Sequence, residues 1–198
     1  ESIETLGSVT TICTDKTGTL TENKLSVVSL YHEGQLFELD RKHNTFHNAQ
    51  NNSYLHHVQN KYYDRMLSCM HLCNNAVYEG NFSSGDPTEI ALLKMVDEQK
   101  DNSIYEQAHR EHEIPFDSEK KYMITAHKTV HHRIAYLKGA PEKVLEKCTH
   151  IIADEKEVEL TEKDKHALLE ENRKLAAQGY RILALGYKYL GDKTGSDK

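Results

Sequence analysis

No apolar run in these 198 residues approaches the length needed to cross a bilayer, and no signal peptide opens the chain. Nor is positive charge in excess. A formal net charge of -6 argues against general nucleic-acid binding, because no face can be strongly basic without local clustering. Four cysteines without paired, regular spacing fit a reducing compartment better than a disulfide framework. Cys69, His71 and Cys73 do not make a metal site. The two thiols share a helical face, His71 points elsewhere, and packing is the expected role. No internal repeat is visible. The first residue is Glu1 rather than Met, which suggests a piece of something longer. What remains is 37% hydrophobic and 28% charged, with a mean hydropathy of -0.72. That describes a polar domain with one sizeable core and room for a fragment of a second.

One stretch organises the rest: Thr14-Asp15-Lys16-Thr17-Gly18-Thr19-Leu20-Thr21, preceded by the β-branched run Ser8 to Cys13. The run reads as a buried strand, which puts Asp15 at its carboxyl end, where open sheets place ligands. Gly18 lets the chain turn close beneath it. An Asp so placed, with hydroxyls at Thr17, Thr19 and Thr21, is able to attack a phosphoryl group and form an aspartyl-phosphate. A polar strand-to-turn exit is the competing reading of the short string.

Downstream, 25–31 and 35–39 read as strands around a turn at His32-Glu33-Gly34, and 41–52, rich in Asn and His, as a loop. Leu55, Val58, Tyr62, Met66, Met70 and Cys73 recur at three- and four-residue steps, so 53–74 is expected to be a helix. Asp86 caps a second helix, with Pro87 at its first position and Glu89 completing a capping-box-like D-x-x-E. A polar connector runs from Lys100 to Glu113. Residues 122–127 and 133–138 then form a hairpin, and a short helix follows Pro141. Ile151-Ile152 is a weak strand, Thr161 caps a helix that Gly179 ends in a left-handed conformation, and 180–189 is the final strand.

Five strings resemble the type II cation pumps of the P-type ATPase family, in that family's order. They are DKTGTLT at 15–21, GDPTEIALL at 85–93, PFDSEKKYM at 115–123, KGAPE at 138–142 and GYRILAL at 179–185. The residue two after the nucleophile is usually a second Asp, a general acid, in the wider phosphatase superfamily of this fold; here it is Thr17. Lacking that acid, an acyl-phosphate should persist, which suits a pump better than a phosphatase.

The resemblance implies an α+β fold: a twisted, mostly antiparallel sheet flanked by helices, with one strand of a haloacid-dehalogenase-like phosphorylation domain at the N-terminus. Its implied domains are the edge of the phosphorylation domain at 1–24, a nucleotide-binding domain at 25–190 and a loose tail at 191–198. It implies ATP and Mg2+ as ligands. Asp15 is the implied nucleophile, and Asp15 with the Thr17 carbonyl would supply part of the magnesium shell. Phe116 matches the aromatic that stacks on adenine. Lys138 lies deep in the pocket, Glu89 lines it, Gly139 lets the backbone approach the ligand, and Lys121 and Arg181 match basic residues on the nucleotide side. Read alone, Phe116 after a proline would more often be a core anchor.

The function implied is that of the cytosolic ATP-binding part of an integral membrane protein, expected in the plasma membrane. The parent would hydrolyse ATP through an aspartyl-phosphate to move a cation, calcium first among candidates. Its partners would be ATP, that cation, and the remaining phosphorylation, actuator and transmembrane domains. The piece itself is expected to bind ATP without turning it over. A nucleotide-binding regulatory module and a soluble phosphatase of the same superfamily are the alternatives.

Overall fold

A computed structural model of the chain describes residues 24–43, 45–55, 61–99 and 108–191. The first four strands are β1 (Ser29–His32), β2 (Gln35–Asp40), β3 (Thr45–Asn48) and β4 (Ser53–Leu55), paired in that order as an antiparallel meander. Leu30 pairs with Phe37, Leu39 with Phe46, and Phe46 with Leu55, so β2 contributes two side chains and each of the other strands one to the same face.

The Asn- and His-rich stretch is therefore not a loop, and the helix expected over 53–74 is shorter than its periodicity. Residues 53–55 pair with β3, and helix α1 is Lys61–Leu72. The reason is local. Asn48 Oδ1 accepts from the Gln50 and Asn51 amides, Asn51 Oδ1 accepts from Ser53, and Asn52 takes a positive φ of 55. Those side chains build a tight reversal, and only Phe46 and Leu55 are needed to anchor the strands.

A small hairpin, β5 (Val77–Glu79) and β6 (Phe82–Ser84), precedes helix α2 (Pro87–Glu98). The second large sheet is also four-stranded, its strands in the spatial order 184–190, 133–139, 122–128 and 109–114, all antiparallel. Its members are β7 (His109–Ile114), β8 (Tyr122–Lys128), β9 (Arg133–Gly139) and β12 (Ala184–Leu190). Between β9 and β12 come helix α3 (Pro141–Leu145), the hairpin β10 (His150–Ala153) and β11 (Lys156–Glu159), and helix α4 (Glu162–Ala177). The α+β class stands, with two four-stranded sheets in place of one. The expected connector ending at Glu113 is partly strand. β7 carries no apolar alternation and is held by its partner β8 and by charged pairs, Arg133 with Glu111 above all. The last strand starts at Ala184 rather than at Tyr180.

Helix α1 joins the two sheets. Tyr63, Leu67 and Met70 pack with Phe37, Phe46 and Leu55 of the meander and with Leu92, Met95 and Val96 of α2. Cys69 and Cys73, on and just beyond its other side, pack on Met123, Ile134 and Tyr136 of the second sheet. Burial pushes the Cys69 thiol well up, so it behaves as a small apolar group. Helix α4 ends as the sequence indicates. Gly179, at φ +88, bonds its amide to Ala176 O, and the Tyr180 amide reaches Leu175 O, the paired bonds of a Schellman cap.

His127 alternates with Met123 and Thr125 on the inward face of β8 and is fully buried. Burial above all, with the Arg110 guanidinium and His109 and His71 adding to it, lowers its pKa to about 4. In the unfolded chain the ring titrates near ~6.5. Between those values the unfolded state binds a proton that the folded state refuses. Stability is thus present above about pH 6.5 and is lost as pH falls toward 4, by up to ~1.4 kcal/mol per pH unit. Urea unfolding at pH 7.5 and 5.5 should differ by about 1 kcal/mol from this group, and the difference should vanish in His127→Phe. An equal pH dependence in that variant would remove His127 as its source.

Candidate functional site

Strand alternation fixes the central residue. On β9 the inward positions are Ile134, Tyr136 and Lys138, so a lysine occupies the third place on an apolar face. Its stem is buried, and its ammonium must find a partner. Lys138 Nζ donates to Glu89 Oε1 at 2.8 Å, with the two side chains 7% and 16% exposed. Glu89 stands in the first turn of α2. Asp86 caps that helix as expected, accepting from the Thr88 and Glu89 amides at 2.8 and 3.3 Å. The D-x-x-E capping box does not close, however. Instead of returning to its own helix start, Glu89 offers Oε2 to the amide of Asn75 at 3.1 Å. A buried ammonium on β9 outcompetes a local cap.

Asn75 links this pair to β7. Its Nδ2 donates to Glu113 Oε1 at 2.6 Å, and Asn74 Nδ2 donates to the Glu89 carbonyl at 3.0 Å. Beyond Glu113 the chain leaves β7 through Ile114 and Pro115 to Phe116, a residue 62% exposed. A phenylalanine left this open is not the core anchor its position after proline would ordinarily suggest. The turn that follows is built around Asp117. Its Oδ1 accepts from the Glu119 and Lys120 amides, which hold its carboxyl below the ordinary range, and its carbonyl accepts from the Lys121 amide.

Lys121 takes a left-handed φ of 59 and leads directly into β8. Its carbonyl accepts from the Ala140 amide at 2.9 Å, and its exposed ammonium lies 4.0 Å from Glu142. Gly139 pairs with Tyr122 on one side and Ala184 on the other. A Cβ there would stand 2.5 Å from the Lys121 carbonyl oxygen and 2.7 Å from Tyr122 Cα. The glycine is thus required first by the meeting of β8 and β9.

Arg181, in the segment between α4 and β12, donates to Thr88 Oγ1 at 2.6 Å. Burial works against the Asp86 carboxylate, but the Thr88 hydroxyl, the two amides and Arg181 together hold its pKa down. Glu89, Lys138 and Arg181 therefore meet at the start of α2. Lys121 and Gly139 share the β8–β9 junction, and Phe116 projects from the turn joined to both through Glu113 and Lys121. Asp15 and Thr17 lie outside the described residues. Among the described residues, no group of three or more His, Cys, Asp or Glu side chains is arranged to hold a metal ion, and no helix is long and apolar enough to cross a membrane. Asn75, Arg110 and Glu113 were not expected from the sequence. They are polar residues without motif, separated by 35 and 38 positions along the chain.

The model of the family described as P-type ATPase, cytoplasmic domain N, matches residues 62–198. Calcium-transporting ATPase 1 of Bacillus cereus is 40% identical over 192 residues, 94% of this chain and 20% of its own. A calcium-transporting ATPase of Listeria monocytogenes is 37% identical over 197 residues, 98% and 21% respectively. The human sodium/potassium-transporting ATPase subunit alpha-3 is 33% identical over 212 residues, 98% and 20%. The chain spans about a fifth of the length of these relatives. A family model covering most of the chain, on an α+β fold of antiparallel sheets and flanking helices, leaves one assignment: this chain belongs to the P-type ATPases, as their cytoplasmic domain N.

Proposed function

We propose that residues 25–190 hold adenine nucleotide, with the base on Phe116 and the phosphates toward Lys121 and Arg181. The observation that carries this reading is the exposed Phe116 ring on a turn tied, through Glu113 and Asn75, to the Lys138–Glu89 pair. An aromatic face supplies stacking that any base accepts, worth about 1–3 kcal/mol. Lysine and arginine donors supply charge-assisted bonds to phosphate oxygens. Lys138, with its stem buried, offers a cation that loses little rotamer entropy when it turns from Glu89 to a ligand. Glu89 lines the pocket from the start of α2 and Gly139 from the β8–β9 junction.

Residues 1–24 then belong to the edge of a phosphorylation domain, with Asp15 as nucleophile and Asp15 and Thr17 on magnesium, and 191–198 leads back to it. In the parent protein, ATP hydrolysis through an aspartyl-phosphate drives a cation across a membrane, calcium being favoured by the relatives' names. The plasma membrane is the proposed location, and the remaining phosphorylation, actuator and transmembrane domains are the partners. This piece is the ATP holder and not by itself the catalyst.

Stacking and one or two charged bonds, less ordering costs, correspond to about -4 to -7 kcal/mol, millimolar to tens of micromolar. Calorimetric titration of the 198-residue chain with ATP should show that affinity, weakened about tenfold or more in Phe116→Ala. Unchanged affinity in the variant would move the adenine off Phe116.

A further inference from the structure

Arg110 lies at a bulge in β7, where the register with β8 shifts between Arg110 and His112. A bulge re-aims the side chain beside it. The guanidinium points at the C-terminal end of α1 and donates four bonds there. Nη2 reaches Leu72 O at 2.8 Å and Asn74 O at 2.6 Å; Nη1 reaches Asn75 Oδ1 at 2.5 Å and Glu113 Oε2 at 3.1 Å. The first two are carbonyls at and just beyond a helix end, where a cation is favoured. The other two belong to the pair joining β7 to the residue whose amide bonds Glu89. One planar fork thus fixes both the backbone and the side chain of the Asn74-Asn75 segment.

We propose that Arg110 is a positioning residue for nucleotide binding: its four bonds seat Asn75, which holds the Glu89 carboxylate and, through it, the Lys138 ammonium. The proposal rests on the nucleotide reading above. Arg110 touches no ligand in it. Electrostatics add to geometry, because Glu113 and Glu89 are balanced here by Arg110 and Lys138. Without the guanidinium, two carboxylates share one cation next to an anionic ligand.

The test compares Arg110→Lys and Arg110→Gln in the full chain by amide-resolved NMR, thermal unfolding and ATP titration. Lysine keeps a charge at the carbonyls of α1 but cannot bond four acceptors from one plane. Arg110→Lys should stay folded, with a melting temperature roughly 2–6 °C below wild type for the part of the fork it loses. Its Asn75 amide, no longer aimed at Glu89, should move upfield and exchange faster with solvent, and ATP should bind about three- to tenfold more weakly. Arg110→Gln should show the same changes, enlarged. A folded Arg110→Lys chain with an unmoved Asn75 amide would overturn the positioning role. So would a shifted amide with ATP affinity unchanged. A wild-type chain that binds no ATP would instead sink the nucleotide reading, while the Asn75 amide still decides whether Arg110 seats it.

Discussion

Gly139→Ala is expected to destabilise the chain by about 2–3 kcal/mol, a fall of roughly 5–10 °C in melting temperature for a chain of this size. The added Cβ would meet the Lys121 carbonyl oxygen at 2.5 Å and Tyr122 Cα at 2.7 Å, both backbone atoms that cannot swing aside. That carbonyl is already committed to the Ala140 amide, and Lys121 is held at φ 59. Relief must come from opening the end of the β8–β9 pairing, which carries Lys138 with it. Loss of nucleotide binding in this variant would therefore reflect a displaced strand more than a blocked pocket. Circular dichroism on heating measures the effect. A melting temperature equal to wild type would mean that the two strands yield freely and that Gly139 is not needed for their approach.

Lys138→Met should cost about 3 kcal/mol or more, because it leaves Glu89 as a largely buried carboxylate without its cation. The 2.8 Å pair at 7% and 16% exposure ties this lysine to the fold as well as to the pocket. Adding Glu89→Gln should recover most of the loss. The amide oxygen still accepts from Asn75, and no unpaired charge remains buried. Denaturant unfolding of the two single variants and the double variant gives the coupling directly. The double variant should be stable yet bind ATP poorly, which separates the ammonium's contribution to binding from its part in folding. Independent, additive losses would mean that the two groups do not interact in solution.

What was legible in the sequence was local. Asp86 and Pro87 start α2, Thr161 caps α4, and Gly179 ends it, since each signal acts within three or four residues of itself. The hairpin of β8 and β9 was legible because its alternation serves one buried face. β3 and β4 were missed because asparagine side chains, not apolar ones, shape their turn, and β7 because ion pairs replace an apolar face. At the site, the motifs marked Glu89, Phe116, Lys121, Lys138, Gly139 and Arg181. The partner that overrides the Glu89 cap is 49 positions away, and no local pattern announces it. One signal was available: Lys138 falls on the face of Ile134 and Tyr136, and a lysine in that place demands a buried acceptor.

One surface, running from Phe116 to the start of α2, is proposed to receive ATP. That placement is tested most directly by titrating the isotopically labelled chain with ATP, without magnesium, and following every amide. Shifts should concentrate at Glu89, Phe116, Lys121, Lys138, Gly139 and Arg181 and saturate together between about tens of micromolar and a few millimolar. No shift at millimolar ATP, or shifts gathered on another face of the molecule, would contradict it.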